Sequence, residues 1–106
     1  MYASIRHYRM GAGSIDEAMH LADTQLADRL SAEPGFVEYQ VLAMEDDTIL
    51  SITVFDDEQQ CARSNDLAAE FVRDHLAPFD LERIEMVEGE VMVSRAAERV
   101  LEAAHH

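Results

Sequence analysis

The stretch PGFVEYQVLAMEDDTILSITVFD, residues 34–56, decides the fold. It opens on Pro34-Gly35, a turn dipeptide in which proline sets the first central φ and glycine accepts the second. Phe36 to Met44 then reads as a strand, Glu45-Asp46-Asp47 as a short polar connection, and Thr48 to Phe55 as a second strand. Two β-rich runs joined by three polar residues make a hairpin. Asp56 and Asp57 follow where a helix needs a capping oxygen and negative charge at its positive end.

The same logic extends in both directions. Upstream, Tyr2 to Met10 reads as a strand that stops at Gly11-Ala12-Gly13. Ser14 and Glu17 form a capping box for a first helix, whose apolar stripe is Ile15, Ala18, Met19, Ala22, Leu26 and Leu30. Downstream, a second helix runs to about Leu76, because Pro78 disfavours helical geometry at Ala77. Its expected inner stripe is Cys61, Asn65, Ala68, Phe71 or Val72, and His75 or Leu76. Ile84 to Val93 reads as the last strand. The order is βαββαβ, a ferredoxin-like α+β unit: a four-stranded antiparallel sheet with two helices on one face. One domain over residues 1–94 is expected, with residues 95–106 as a tail bearing a weak helical pattern at Ala97, Val100 and Leu101. His105 and His106 read equally as native residues or as the start of a tag.

Composition excludes several activities. The 106 residues carry 22 acids against 8 bases, a formal charge of −14, and every base is arginine. Such a field repels phosphate backbones and anionic lipid, so neither nucleic acid nor membrane is an expected partner. Without lysine there is no Schiff-base or phosphate-loop lysine. Cys61 is alone, which rules out an intrachain disulfide or a cysteine-rich zinc site. No apolar run is long enough to span a bilayer, and no signal peptide is visible, so a cytoplasmic, soluble protein is expected. Gly11-Ala12-Gly13 lacks the third glycine of a dinucleotide loop. The acidic clusters at 45–47 and 56–58 lack calcium-loop spacing, and no metal site is expected.

The third strand has one wholly apolar side, Leu50, Ile52 and Val54, expected to face the helices. The opposite side, Ile49, Ser51, Thr53 and Phe55, with Tyr2, Tyr8, Phe36, Leu42, Met86 and Met92 across the sheet, mixes polar and large apolar groups. That mixture fits a sheet-on-sheet homodimer; the alternative is a monomer whose C-terminal segment covers the face.

Pro34-Gly35-Phe36 at the second strand, Ser51 to Asp56 running into the second helix, Ser64-Asn65 in mid-helix and Gly89-Glu90-Val91 in the last strand resemble the antibiotic-biosynthesis-monooxygenase-like family of dimeric α/β barrels. The resemblance covers residues 1–94. It implies a homodimer whose two sheets form a barrel, with a pocket in each subunit between helices and sheet. Among such proteins are cofactor-free oxygenases of polycyclic phenols, quinol oxygenases and haem-degrading enzymes. The implied function is a cofactor-independent monooxygenase, or related enzyme, acting on a small aromatic or quinol-like metabolite without flavin, metal or nicotinamide. The alternative is a non-catalytic dimeric protein that binds a small molecule or serves as an accessory; a third reading is a structural partner in an assembly. Haem degradation ranks below these. It would want an asparagine in strand 1, where His7 stands, and a tryptophan in the second helix, which the chain lacks; only His75 is suitably placed.

His75 and His7 are the expected catalytic residues, since imidazole near neutral pH can accept a phenol or quinol proton. The parity that puts Ala3 and Ile5 under the helices would put His7 there too. Asn65, on the inner stripe of the second helix, is a candidate to orient a ligand oxygen or to tie helix to strand. Tyr39 can donate a phenolic hydrogen bond if Val37, Tyr39 and Val41 face the helices. Arg6 and Arg9 read equally as ion-pair partners of Glu88, Glu90 or a second chain and as substrate-binding groups, and Cys61 reads as packing. A binding or catalytic role further requires a cavity of roughly 300 Å³ with convergent polar groups.

Overall fold

Strand β1 (Tyr2–Met10) is flanked on both sides in an antiparallel sheet of order β2-β3-β1-β4, completed by β2 (Phe36–Ala43), β3 (Thr48–Phe55) and β4 (Leu81–Glu90). The computed structural model describes residues 1–95. The helical pattern at Ala97, Val100 and Leu101, and His105 and His106, lie outside the described residues.

The helix boundaries follow the expected chemistry. Ser14 Oγ accepts from the Glu17 amide at 3.3 Å and starts α1 (Ile15–Leu21). The helix continues through a π-helical turn at Ala22–Leu26 into α2 (Ala27–Ser31). Asp57 accepts from the Gln60 amide at 2.8 Å and starts α3 (Glu58–His75). Gly35 has φ 81°, in the left-handed region that the Pro34-Gly35 turn demands and that glycine adopts without a Cβ clash. Both helices cover one face of the sheet. Leu26, Leu30, Ala68, Phe71, Leu76 and Phe79 form the buried cluster between them.

Strand β4 begins and ends three residues earlier than expected. After α3 the chain makes a 3₁₀ turn at Ala77–Phe79, Asp80 adopts φ 49°, and Leu81 pairs at once with Met10. Because β1 begins at Tyr2, its partner Glu90 is the last residue of β4.

The larger correction concerns the faces of the sheet. Ile49, Ser51, Thr53 and Phe55 are buried beneath the helices, with Ser4, Arg6 and Tyr39 on the same side. Leu50, Ile52 and Val54 point the other way, together with Ile5, Leu42 and Val87. His7 turns outward with them: its Nε2 meets Thr48 Oγ1 at 2.7 Å, and Thr48 in turn donates to Asp46. Tyr8 and Phe36, expected outside, lie inside. Tyr8 lines the space under the helices and Phe36 packs edge-on against Phe55, with centroids 5.7 Å apart. A hydrophobic ranking of the two sides fails because most of the polar inner groups bond one another. Once satisfied, a hydroxyl or guanidinium no longer carries the full penalty of burial.

Phe71 is 1 % exposed at the centre of the buried cluster. Phe71→Ala is expected to lower unfolding stability by about 3–5 kcal/mol, read as a shift in urea midpoint at constant slope.

Candidate active site

The inner face of the sheet is organised around Arg6, which is 1 % exposed. Its Nε donates to Ser51 Oγ at 3.2 Å and its Nη2 to Thr53 Oγ1 at 3.0 Å. These hydroxyls sit on β3 beside Arg6, so the antiparallel register alone brings them into reach. The Nη1 group is buried and has no hydrogen-bond partner. Among the described residues no carboxylate lies within ion-pair distance of Arg6; the pairs present are Arg9–Glu82 at 3.9 Å and Arg73–Asp74 at 3.0 Å, both on the surface. The expectation that Arg6 pairs with Glu88 or Glu90 is therefore not met.

Arg6 lines a hollow of about 30 Å³ closed by Ala68, Val72 and Leu76 on the helix side. Met19, Ala22, Tyr39 and Val41 line it as well, and the same four residues line a cleft of about 250 Å³ between the first helix and β2. The hollow is thus the floor of the cleft. The cleft lies under the first helix, and its volume falls slightly below the roughly 300 Å³ set for a binding pocket. The π-turn sits here: the Ala27 amide bonds the carbonyl of Ala22, five residues back, and both ends of the turn, Ala22 and Leu26, line the hollow. Single π-turns inside α-helices occur frequently at functional sites.

Tyr39 stands in the wall with Val41, as the sequence pattern predicted. Burial, only partly offset by the Arg6 charge, pushes its phenol up to about 12. It is a neutral hydrogen-bond donor at any physiological pH.

The structure does not bring the other expected residues into the hollow. His75 is exposed at the end of α3, its ring against Phe71 with centroids 5.0 Å apart, and is absent from the walls. His7 is on the opposite face. Asn65 does face inward, but its Oδ1 accepts from Ser4 Oγ at 2.8 Å and its Nδ2 donates to Glu88 at 3.3 Å, so it ties α3 to β1 and β4. The Cys61 thiol is fully buried, and desolvation raises it further from reactivity. Sequence reasoning left Arg6 open between an ion pair and substrate binding and gave it no place on the inner face. The available signal was the shared parity of Ser4, Arg6 and Tyr8 with Ser51 and Thr53, a polar ladder across two adjacent strands.

No protein-family model matches the chain, and no curated protein matches it by sequence. Solved structures do match. SnoaB, a cofactor-independent oxygenase from Streptomyces nogalater, is 15 % identical with TM-score 0.65, covering 88 % of this chain and 94 % of its own. A dimeric ferredoxin-like protein from an uncultured marine organism is 14 % identical with TM-score 0.67, covering 91 % and 98 %. A MhuD mutant with manganese protoporphyrin IX bound in its active site is 14 % identical with TM-score 0.65, covering 92 % and 100 %. The chain has the ferredoxin-like fold of antibiotic-biosynthesis-monooxygenase-like proteins. Its residues do not fit a haem, because His75 lies outside the cleft and the cleft is smaller than a macrocycle requires. Among the described residues no helix is long and apolar enough to cross a membrane.

The displaced titration of Tyr39 is measurable. The unfolded chain ionises this phenol near 10, so the fold binds the proton more tightly between pH 10 and about 12, and stability falls as pH rises through that window. Tyr39→Phe is expected to be less sensitive than the wild type between pH 8 and pH 11, by about 1 kcal/mol in urea unfolding.

Proposed function

We propose that the chain is a cofactor-independent monooxygenase, or a related enzyme, that acts on a small aromatic or quinol-like metabolite held in the cleft under its first helix. The observation that supports this reading is that Arg6, whose Nη1 has no hydrogen-bond partner, lines a largely apolar hollow with the Tyr39 phenol in its wall. Oxygenation without a cofactor draws its electrons from the substrate: one atom of dioxygen enters the substrate and the other leaves as water. Such chemistry needs a water-poor pocket, positioned donors and an electron-rich substrate. Met19, Val41, Val72 and Leu76 supply the apolar walls, and Arg6 and Tyr39 the donors.

We further infer that the working form is a homodimer joined through the outer sheet face. The placement of Leu50 and Ile52 on the outer side of the sheet, both half-buried there beside the buried Val54, supports that reading. Leu42 and Val87 beside them are 41 % and 47 % exposed. An apolar face of that kind, left open, marks an interface. The neighbour described as a dimeric ferredoxin-like protein is consistent with this arrangement.

Two measurements test these readings. Oxygen uptake with a panel of hydroquinones and polycyclic phenols is expected to show turnover. Tyr39→Phe should lower kcat/KM roughly 10-fold through the loss of one neutral hydrogen bond, and His75→Ala should leave it unchanged. No uptake across the panel, or loss of turnover in His75→Ala, would overturn the assignment. Sedimentation of the wild type is expected to give twice the chain mass and Ile52→Glu a single chain; a wild-type monomer would refute the dimer.

A further inference from the structure

Resting on the reading of the cleft as a substrate site, we propose that the cleft takes an arylalkylamine, one aromatic ring with a short arm ending in a protonated amine. The ring lies between the first helix and β2, and the ammonium meets the Asp23 carboxylate at the mouth. Six of the described residues line the cleft, and their chemistry is graded. Met19, Ala22, Ala27 and Val41 are apolar. Tyr39 adds a phenol that burial keeps protonated. Asp23 is exposed, and it is the one ionised side chain among the six. An ionised carboxylate accepts hydrogen bonds and donates none, so its complement is a cationic N–H donor.

The π-turn opens the space. In a regular α-helix, residues five apart point about 140° away from each other. Here the Ala27 amide bonds the Ala22 carbonyl, so the two alanines stack one above the other and both line the cleft opposite Tyr39 and Val41. Two methyl groups stand where longer side chains would reach across to β2. At about 30 Å³ per water, the cleft of about 250 Å³ has the room of about eight waters, enough for one ring and a short arm. Charge then sets the direction of entry. Arg6 lines the hollow that forms the floor, so the closed end is positive and the open end negative. A cation is turned away from the floor and held at the mouth, and the ring goes in first. The formal charge of −14 acts in the same sense from farther off, drawing a cation in and opposing a carboxylate.

Three ligands with the same phenol ring separate charge from fit. Tyramine ends in a cation, 4-ethylphenol is neutral, and 4-hydroxyphenylacetate ends in an anion. In calorimetric titrations of the full chain at pH 7 and low salt, tyramine is expected to bind about 3- to 5-fold more tightly than 4-ethylphenol, the size of one exposed ion pair. The anion should bind more weakly than both, and the preference for tyramine should shrink as salt is raised. Asp23→Asn should bring tyramine down to the level of 4-ethylphenol. Asp16→Asn removes an equal charge about two turns away, at the start of the helix, and should keep the preference. Both aspartates are exposed, so neither change disturbs the core. Ala27→Leu puts a larger side chain into the cleft and should weaken all three ligands. Equal affinity for tyramine and 4-ethylphenol, a preference that survives Asp23→Asn, or one lost equally in Asp16→Asn would each overturn the proposal, as would binding untouched by Ala27→Leu. No binding of any of the three at millimolar protein would overturn it together with the reading of the cleft as a substrate site. Binding of 4-ethylphenol without a preference for the amine would overturn this inference alone. A preference for tyramine without oxygen uptake would keep it and refute the oxygenase.

Discussion

The structure depends on how one guanidinium is buried. Bringing a charge out of water costs several kcal/mol even after relaxation, and a protein ordinarily offsets that with a counter-ion. Here two hydroxyls from the neighbouring strand take two of the three nitrogens of Arg6, and among the described residues no carboxylate takes the third. The arrangement is poor as a device for stability, since hydrophobic residues of similar volume would serve the core as well or better. It makes sense where a group must stand ready for something that the chain does not itself supply. Preorganised donors in a water-poor site are worth most in such a place, because they need no rearrangement when charge arrives.

That one demand accounts for the inverted sheet. Arg6 needs partners on its own side of β1, so Ser51 and Thr53 must lie beneath the helices, and Ser4 joins them to hold Asn65. A strand shows its two sides alternately, so placing the polar set inside drives Leu50 and Ile52 out. The inner face is polar where Arg6 meets its two hydroxyls and Ser4 meets Asn65. The outer face keeps the apolar set. Both are consequences of one register.

Much of the fold was legible because it rests on local chemistry. Ser14, Asp57, Gly35 and Pro78 act within a few residues of themselves, and each sits where its capping or turn chemistry required. The strands were legible from composition, and the inward placement of Asn65 and Tyr39 from periodicity. The faces of the sheet were not, because the deciding interaction joins Arg6 to residues some 45 positions away. A ranking by hydrophobicity assumes that buried polar groups are costly, and here the hydroxyls, Asn65 and two of the three Arg6 nitrogens find partners, leaving only Nη1 without one. The π-turn was illegible for a related reason. Ala22 to Leu26 has no proline or glycine to mark it, and its apolar spacing passes for an ordinary helix. The histidines misled in a different way. Their chemistry suited the reaction class, but His7 followed the misassigned parity, and His75 is exposed one position before the buried Leu76 that ends the inner stripe.

The formal charge of −14 and Arg6, the one buried cation among the described residues, act at different ranges. Surface charge is felt over a Debye length, about 8 Å at physiological ionic strength, so a permanently anionic molecule meets repulsion as it approaches. Arg6 acts over contact distance in a poorly solvated interior, where its pull is strong and little screened. The first bears on what comes near the molecule, and the second on how β1 and β3 are set against each other, so the excess of acid on the outside leaves the need of the guanidinium for partners inside untouched.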